Sequence, residues 1–153
     1  MIIQRSQIND NHMILPPNSI IASSPVIIED GKVLLDRERK DGKITDWFFP
    51  GGGVEDFDIS LEEACRREVR EEMGIEIEII RPLDTLLIKQ KRVSTPALPL
   101  SEEEERVIVL VHYLAKRIGE IKPGSDIAQW AWHDIKNLPN NCAKNVYDII
   151  KTL

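Results

Sequence analysis

Glu68, Glu71 and Glu72 stand at i, i+3 and i+4 in the run Arg67-Glu68-Val69-Arg70-Glu71-Glu72. If the run is helical, the three carboxylates share one face and can converge. Like charges at i,i+4 oppose the helix by roughly 0.2–0.5 kcal/mol per pair, so something nearby should offset them. A divalent cation does this directly, because Mg²⁺ takes a few carboxylates and fills its shell with water and phosphate oxygens. A solvated, salt-bridged face is the competing reading. Glu62 with Arg66 and Glu63 with Arg67 are i,i+4 pairs in the favourable order. Taken alone, the run fits that face better, since charge runs on helices are common.

The surrounding elements alter the balance. Ser60 to Met73 carries the clearest helical pattern. Ser60 and Glu63 form a capping box, Gly74 sits at the C-terminal glycine position, and Leu61, Ala64, Cys65, Val69 and Met73 make an apolar stripe. Shortly before it comes Gly51-Gly52-Gly53. Such a run suits unusual φ values or close backbone approach, and it can bring a carbonyl oxygen beside the carboxylates.

The rest reads as strands with a closing helix. Ser19 to Ile28 and Val33 to Arg37 are strands joined by the turn Glu29-Asp30-Gly31-Lys32. Arg37 to Asp46 reads as an exposed loop, and Trp47 to Phe49 as a short strand stopped by Pro50. Ile75–Ile80, Leu83–Lys89, Val107–Ala115 and Asp126–Trp132 follow as strands, with a short helix at Asp134–Leu138 and an amphipathic helix over Asn141–Leu153. Residues 1–18 read as a lead-in and 19–153 as one domain. Helices do not alternate regularly with strands, so a mixed sheet packed between helices is expected rather than a doubly wound parallel one.

Gly51-Gly52-Gly53, the capped helix and the glutamate triplet together resemble the Nudix box, GX5EX7REUXEEXGU, where U is a bulky aliphatic residue. Arg67-Glu68-Val69-Arg70-Glu71-Glu72-Met73-Gly74-Ile75 matches every specified position of its second half, and Phe49-Pro50-Gly51-Gly52 looks like the family's usual lead into the box. The first half departs from the pattern. Asp58 stands where the pattern wants Glu, and eight residues rather than seven separate it from Arg67. This reads as a one-residue insertion, with Asp58 bracing the loop against the helix in altered geometry.

The resemblance implies an α/β (α+β) fold, an α/β/α sandwich with a mixed sheet between helices. It implies hydrolysis of a pyrophosphate bond in a nucleoside diphosphate derivative: a nucleoside triphosphate, a dinucleoside polyphosphate, ADP-ribose or a similar nucleotide. Mg²⁺ or Mn²⁺ would be the cofactor, held by Glu68, Glu71, Glu72 and the Gly51 carbonyl. Glu68 and Glu71, with Arg67 orienting a glutamate of the cluster, would be the catalytic group. A non-catalytic nucleotide-binding module on the same fold is the alternative. Many relatives are dimers, so a homodimer is among the implied states.

Composition bounds the partners. The chain has 153 residues, 42% hydrophobic and 30% charged, with net charge −6. It shows no basic footprint for duplex nucleic acid, so anionic substrates need a cation between them and the protein. No apolar stretch is long enough for a membrane span. Cys65 and Cys142 match no metal-ligand spacing and read as reduced thiols of a cytoplasmic protein. Arg37 and Arg39, at or just after a strand end, are candidate phosphate contacts. Trp47, Phe48, Trp130 and Trp132 read as packing more than stacking, Glu102 to Glu105 as a solvated loop, and His12, His112 and His133 form no pattern.

Overall fold

Val26-Ile27 and Val33-Leu34-Leu35 are fully buried, although neighbouring side chains of a strand point to opposite faces. Both faces of their sheet must therefore be covered. The computed structural model of the chain describes residues 15–92 and 104–153, with Ser94, Pro96 and Pro99 between them. The first part of the expected lead-in, with His12, and Glu102 and Glu103 lie outside the described residues.

Among the described residues, eight strands and two helices run in the order β1 (Ile20–Glu29), β2 (Lys32–Lys40), β3 (Lys43–Ile44), β4 (Gly52–Gly53), α1 (Leu61–Met73), β5 (Glu76–Pro82), β6 (Leu86–Arg92), β7 (Glu104–Ile118), β8 (Ile127–Asp134) and α2 (Lys144–Ile150). The sheet has the order β3-β2-β1-β7-β5, with β4 on β1, β6 on β7 and β8 on β2. β1 and β7 are parallel. The other pairs are antiparallel, so the sheet is mixed as expected.

Alternation along the strands sorts the core into two layers. Ile27 and Leu34 pack with Cys65, Val69 and Met73 of α1. Val26, Val33 and Leu35 pack with Val146, Ile149 and Ile150 of α2, together with Trp47 and Phe49. Cys65 and Trp47 are thus core residues, and burial pushes the Cys65 thiol up to about 12. No helix among the described residues is long and apolar enough to cross a membrane.

Several elements differ from the sequence expectation. Arg37 to Asp46 is a hairpin rather than a loop: Asp41 and Gly42 both take positive φ (52° and 73°), repeating the turn at Asp30 and Gly31 (50° and 74°), so β2 continues to Lys40. Asp134 to Leu138 is a turn, in which the Asp134 carboxylate accepts from the Lys136 amide at 2.9 Å. α2 starts only at Lys144, because the Asn141 carbonyl and the Ala143 amide bond the Trp47 backbone at 3.0 and 2.9 Å. Glu104 and Glu105 begin β7.

Candidate active site

α1 is anchored at both ends. Ser60 Oγ accepts from the Glu63 amide at 3.0 Å, and Gly74, at φ 66°, donates to the Arg70 carbonyl. The C-terminal carbonyls that a helix leaves unpaired are met from outside: Lys122 N–H donates to Met73 and Gly124 N–H to Glu72, at 2.8 and 2.7 Å. The end of α1 that carries Glu71 and Glu72 is therefore held against residues 122–124. A cavity of about 640 Å³ opens there, lined by Glu68, Glu71 and Glu72 of α1, Glu38 and Arg39 of β2, and Asp126. The structure thus brings the glutamate triplet to one space.

Arg67 supports this arrangement from the side. Its guanidinium grips Asp58 through Nε and Nη2, each 2.8 Å from a carboxylate oxygen. It also donates to the Gly53 carbonyl at 3.0 Å and lies 3.1 Å from Glu68 and 3.2 Å from Glu71. Asp58 accepts from the Glu55 amide as well, so the inserted loop is pinned to α1. Hydrogen bonding from Arg67 holds the Asp58 carboxyl down at about 2. The Glu63–Arg67 pair expected of a solvated face is replaced by Glu63–Arg66 at 2.7 Å.

The glycine run packs against the same helix. Gly51 reaches the cluster through its amide, which donates to Glu72 Oε2 at 2.9 Å. At φ 137° a Cβ there would lie 2.5 Å from the Ser23 carbonyl oxygen. A Cβ on Gly52 would overlap the Glu68 carboxylate.

Two acidic residues that sequence reasoning did not select join the site. Asp36 and Glu38 of β2 place one carboxylate oxygen each, with one of Glu72, within 4.8 Å of one another. Asp36 is 1% exposed, and its Oδ2 is buried with no hydrogen-bond partner. Burial, then the charge of Glu38, raises the Asp36 pKa; burial and hydrogen bonding with Glu38 raise that of Glu72. Burial also raises Glu68, against the pull of Arg67. These hard oxygen donors, crowded and partly desolvated, suit a divalent cation. The Asp41-Gly42 turn, which extends β2, was the signal that could have found them.

Arg37 is not in either space described here. It donates to the Thr45 carbonyl at 2.7 Å and sits 5.7 Å from the Trp47 ring centroid. Arg39 lines the acidic cavity, but its Nη1 bonds the Ser125 and Ile127 carbonyls at 3.0 and 3.1 Å. A second cleft, of about 450 Å³, lies beside Gly51 and Gly52 and is walled by Phe48, Ile88, Leu110 and Arg106. Glu38 and Lys40 line both spaces.

Comparison with known proteins agrees with this geometry. The chain is 29% identical over 138 residues to an ADP-ribose pyrophosphatase of Methanocaldococcus jannaschii, covering 90% of this chain and 74% of that protein. It is 31% identical over 110 residues to the nucleoside triphosphatase NudI of Escherichia coli, covering 71% and 77%. Among solved structures, a MutT protein from Methanosarcina mazei superposes with TM-score 0.69 at 21% identity, over 92% of this chain and 95% of that one. A MutT NUDIX hydrolase from Burkholderia pseudomallei does so with TM-score 0.68 at 22% identity, over 89% and 98%. The NUDIX domain family model matches residues 20–153, so this chain, with its glutamate helix set against a glycine turn, belongs to the Nudix hydrolase family.

Proposed function

We propose that the chain hydrolyses a pyrophosphate bond in a nucleoside diphosphate derivative, using Mg²⁺ or Mn²⁺. The observation that carries this reading is the convergence of Glu68, Glu71 and Glu72 on one cavity beside Gly51, with Arg67 locked to Asp58 behind them. A salt-bridged surface would leave these carboxylates in solvent. Here Glu72 and Glu68 are half-buried, and burial raises both pKa values.

Glu68, Glu71 and Glu72, with the Gly51 carbonyl, would hold the cation. Once bound, it neutralises charge developing on the phosphate oxygens and acidifies the attacking water. Glu68 is our candidate to accept the proton from that water as it attacks one phosphorus. The bond from that phosphorus to the bridging oxygen breaks, and the second phosphate leaves. Arg67 keeps Glu68 and Glu71 in place by charge-assisted contacts. Phe48 and the apolar wall of the second cleft offer a surface for a base, and Lys40 and Arg106 offer positive charge for phosphates. Arg39 is a phosphate contact if it releases the Ser125 and Ile127 carbonyls, whereas Arg37, bonded to the Thr45 carbonyl and outside both spaces, would have to leave that bond to reach a substrate. Two unpaired buried cysteines fit a cytoplasmic protein.

The relatives named for ADP-ribose and for nucleoside triphosphates set the first two substrates to try, followed by dinucleoside polyphosphates. The test is formation of the split products from this panel with Mg²⁺ or Mn²⁺ (nucleoside monophosphate with a sugar phosphate, with pyrophosphate or with a shortened nucleotide), separated by chromatography and compared between wild type, Glu71→Gln and Glu72→Gln. Turnover abolished by a chelator and lowered in both variants is expected. Equal activity in all three proteins would sink the reading.

A further inference from the structure

We propose that Asp36 and Glu38 of β2 form, with Glu72, a second divalent-cation position beside the one held by Glu68, Glu71 and Glu72, sharing Glu72 with it. The inference deepens the hydrolase reading and rests on it only for its role in catalysis.

Asp36 and Glu38 share a strand face with Leu34, which packs on α1, and so they meet the glutamate end of that helix. One oxygen from each of Asp36, Glu38 and Glu72 lies within 4.8 Å of the others. Oxygens on opposite sides of one Ca²⁺ stand at most about 5 Å apart and those around Mg²⁺ about 4 Å, so a small contraction completes such a site. Among the described residues no lysine or arginine forms an ion pair with any of the three. Arg67 is engaged by Asp58, Glu68 and Glu71, while Arg37 and Arg39 bond backbone carbonyls.

Acidic clusters are common, and this one alone would prove little. The independent observation is Asp36 Oδ2, which is buried, unpartnered and part of a side chain 1% exposed. Such an atom calls for a partner. One shared proton links only two carboxylates, whereas three face this point. Glu38 also lines both the acidic cavity and the cleft at Phe48, so an ion here is reachable from either side. Because Glu72 is common to both ligand sets, the two ions would sit as neighbours, the arrangement that clamps attacking and leaving oxygens in two-metal sites.

The test is Mn²⁺ titration of the substrate-free protein, reading free Mn²⁺ by electron paramagnetic resonance, for wild type, Asp36→Asn, Glu38→Gln and Glu68→Gln. Two classes of bound Mn²⁺ are expected in wild type. Asp36→Asn and Glu38→Gln should each weaken one class by about tenfold or more, and Glu68→Gln the other. Should the buried Asp36→Asn protein fail to fold, Glu38→Gln at the half-buried position decides alone. Binding indifferent to both β2 variants, or a single class weakened alike by all three, overturns the inference while leaving Mn²⁺-dependent hydrolysis standing. Two classes with the expected sensitivities but no turnover of any pyrophosphate substrate would overturn the hydrolase reading and leave the cation position intact.

Discussion

Asp58 lies nine positions before Arg67 and receives two parallel hydrogen bonds from it, Nε to Oδ1 and Nη2 to Oδ2, both 2.8 Å long. The family's box has Glu at this place and one residue fewer in the loop. Here the shorter acid and the longer loop compensate: the loop folds back far enough for Asp58 to reach the guanidinium and the Glu55 amide together. The altered spacing therefore leaves the brace intact.

Arg67→Ala should then lower hydrolysis about 10- to 100-fold, as loss of a group supporting metal ligands does. Asp58→Asn, which keeps shape but removes charge, should lose less. Steady-state kinetics at several Mn²⁺ concentrations checks this. An Arg67→Ala protein with wild-type rates would show that the brace does not matter.

Gly51 and Gly52 should respond differently to alanine. At Gly51 the backbone sits at φ 137° and the new Cβ meets backbone atoms of Ser23 and Ser24, so Gly51→Ala should lose stability, with strain of about 1–3 kcal/mol. At Gly52 the new methyl meets only the far end of Glu68, which can swing away. Gly52→Ala should melt close to wild type yet lose Mn²⁺ affinity and turnover. Thermal melts and Mn²⁺ binding on the pair separate the two effects.

Ser60→Ala removes the N-cap bond to the Glu63 amide. It should cost about 1 kcal/mol. For a chain of this size that lowers Tm by about 2–4 °C. Ser60 lines neither the acidic cavity nor the Asp36–Glu38–Glu72 cluster, so kcat well below the melting range should be unchanged.

His112 is buried, with Nδ1 2.8 Å from the Asp84 carbonyl and Nε2 3.1 Å from Asn145 Nδ2. These partners suit the neutral ring, Nδ1–H donating and Nε2 accepting, and burial lowers the pKa from the ordinary 6.5. As pH falls below that value the unfolded chain takes up the proton first, so stability is lost. The buried carboxyls of Asp36, Glu68 and Glu72, whose pKa values are raised, gain stability over the same range, so the His112 contribution shows as a difference: between about pH 7.5 and pH 5.5 the urea midpoint of His112→Gln should fall less, or rise more, than that of wild type. His133, also lowered by burial, acts in the same direction as His112. An unchanged slope in His112→Gln would refute the assignment.

The glutamate helix could be read directly because its information is local. Ser60, Glu63, Gly74 and the apolar stripe define α1 within one turn of each residue concerned, and the triplet's shared face follows from helical spacing alone. The mixed sheet between helices was legible from the order of patterns. The run after Arg37 was not: its charges mask a strand, although Asp41-Gly42 repeats the turn chemistry of Asp30-Gly31. Arg37 and Arg39 stood out as cations near a strand end, and only the structure shows their guanidiniums bonded to the carbonyls of Thr45, Ser125 and Ile127.

By itself, then, the sequence determined the box: which carboxylates share α1, what caps it, and that glycines precede it. Tertiary structure decided what meets them. Asp36 and Glu38 lie more than thirty positions from Glu72, and nothing in helix or strand periodicity carries across that distance. They come within 4.8 Å because the apolar face of α1 docks on β1, β2 and β7, and that burial turns the β2 carboxylates toward the end of the helix.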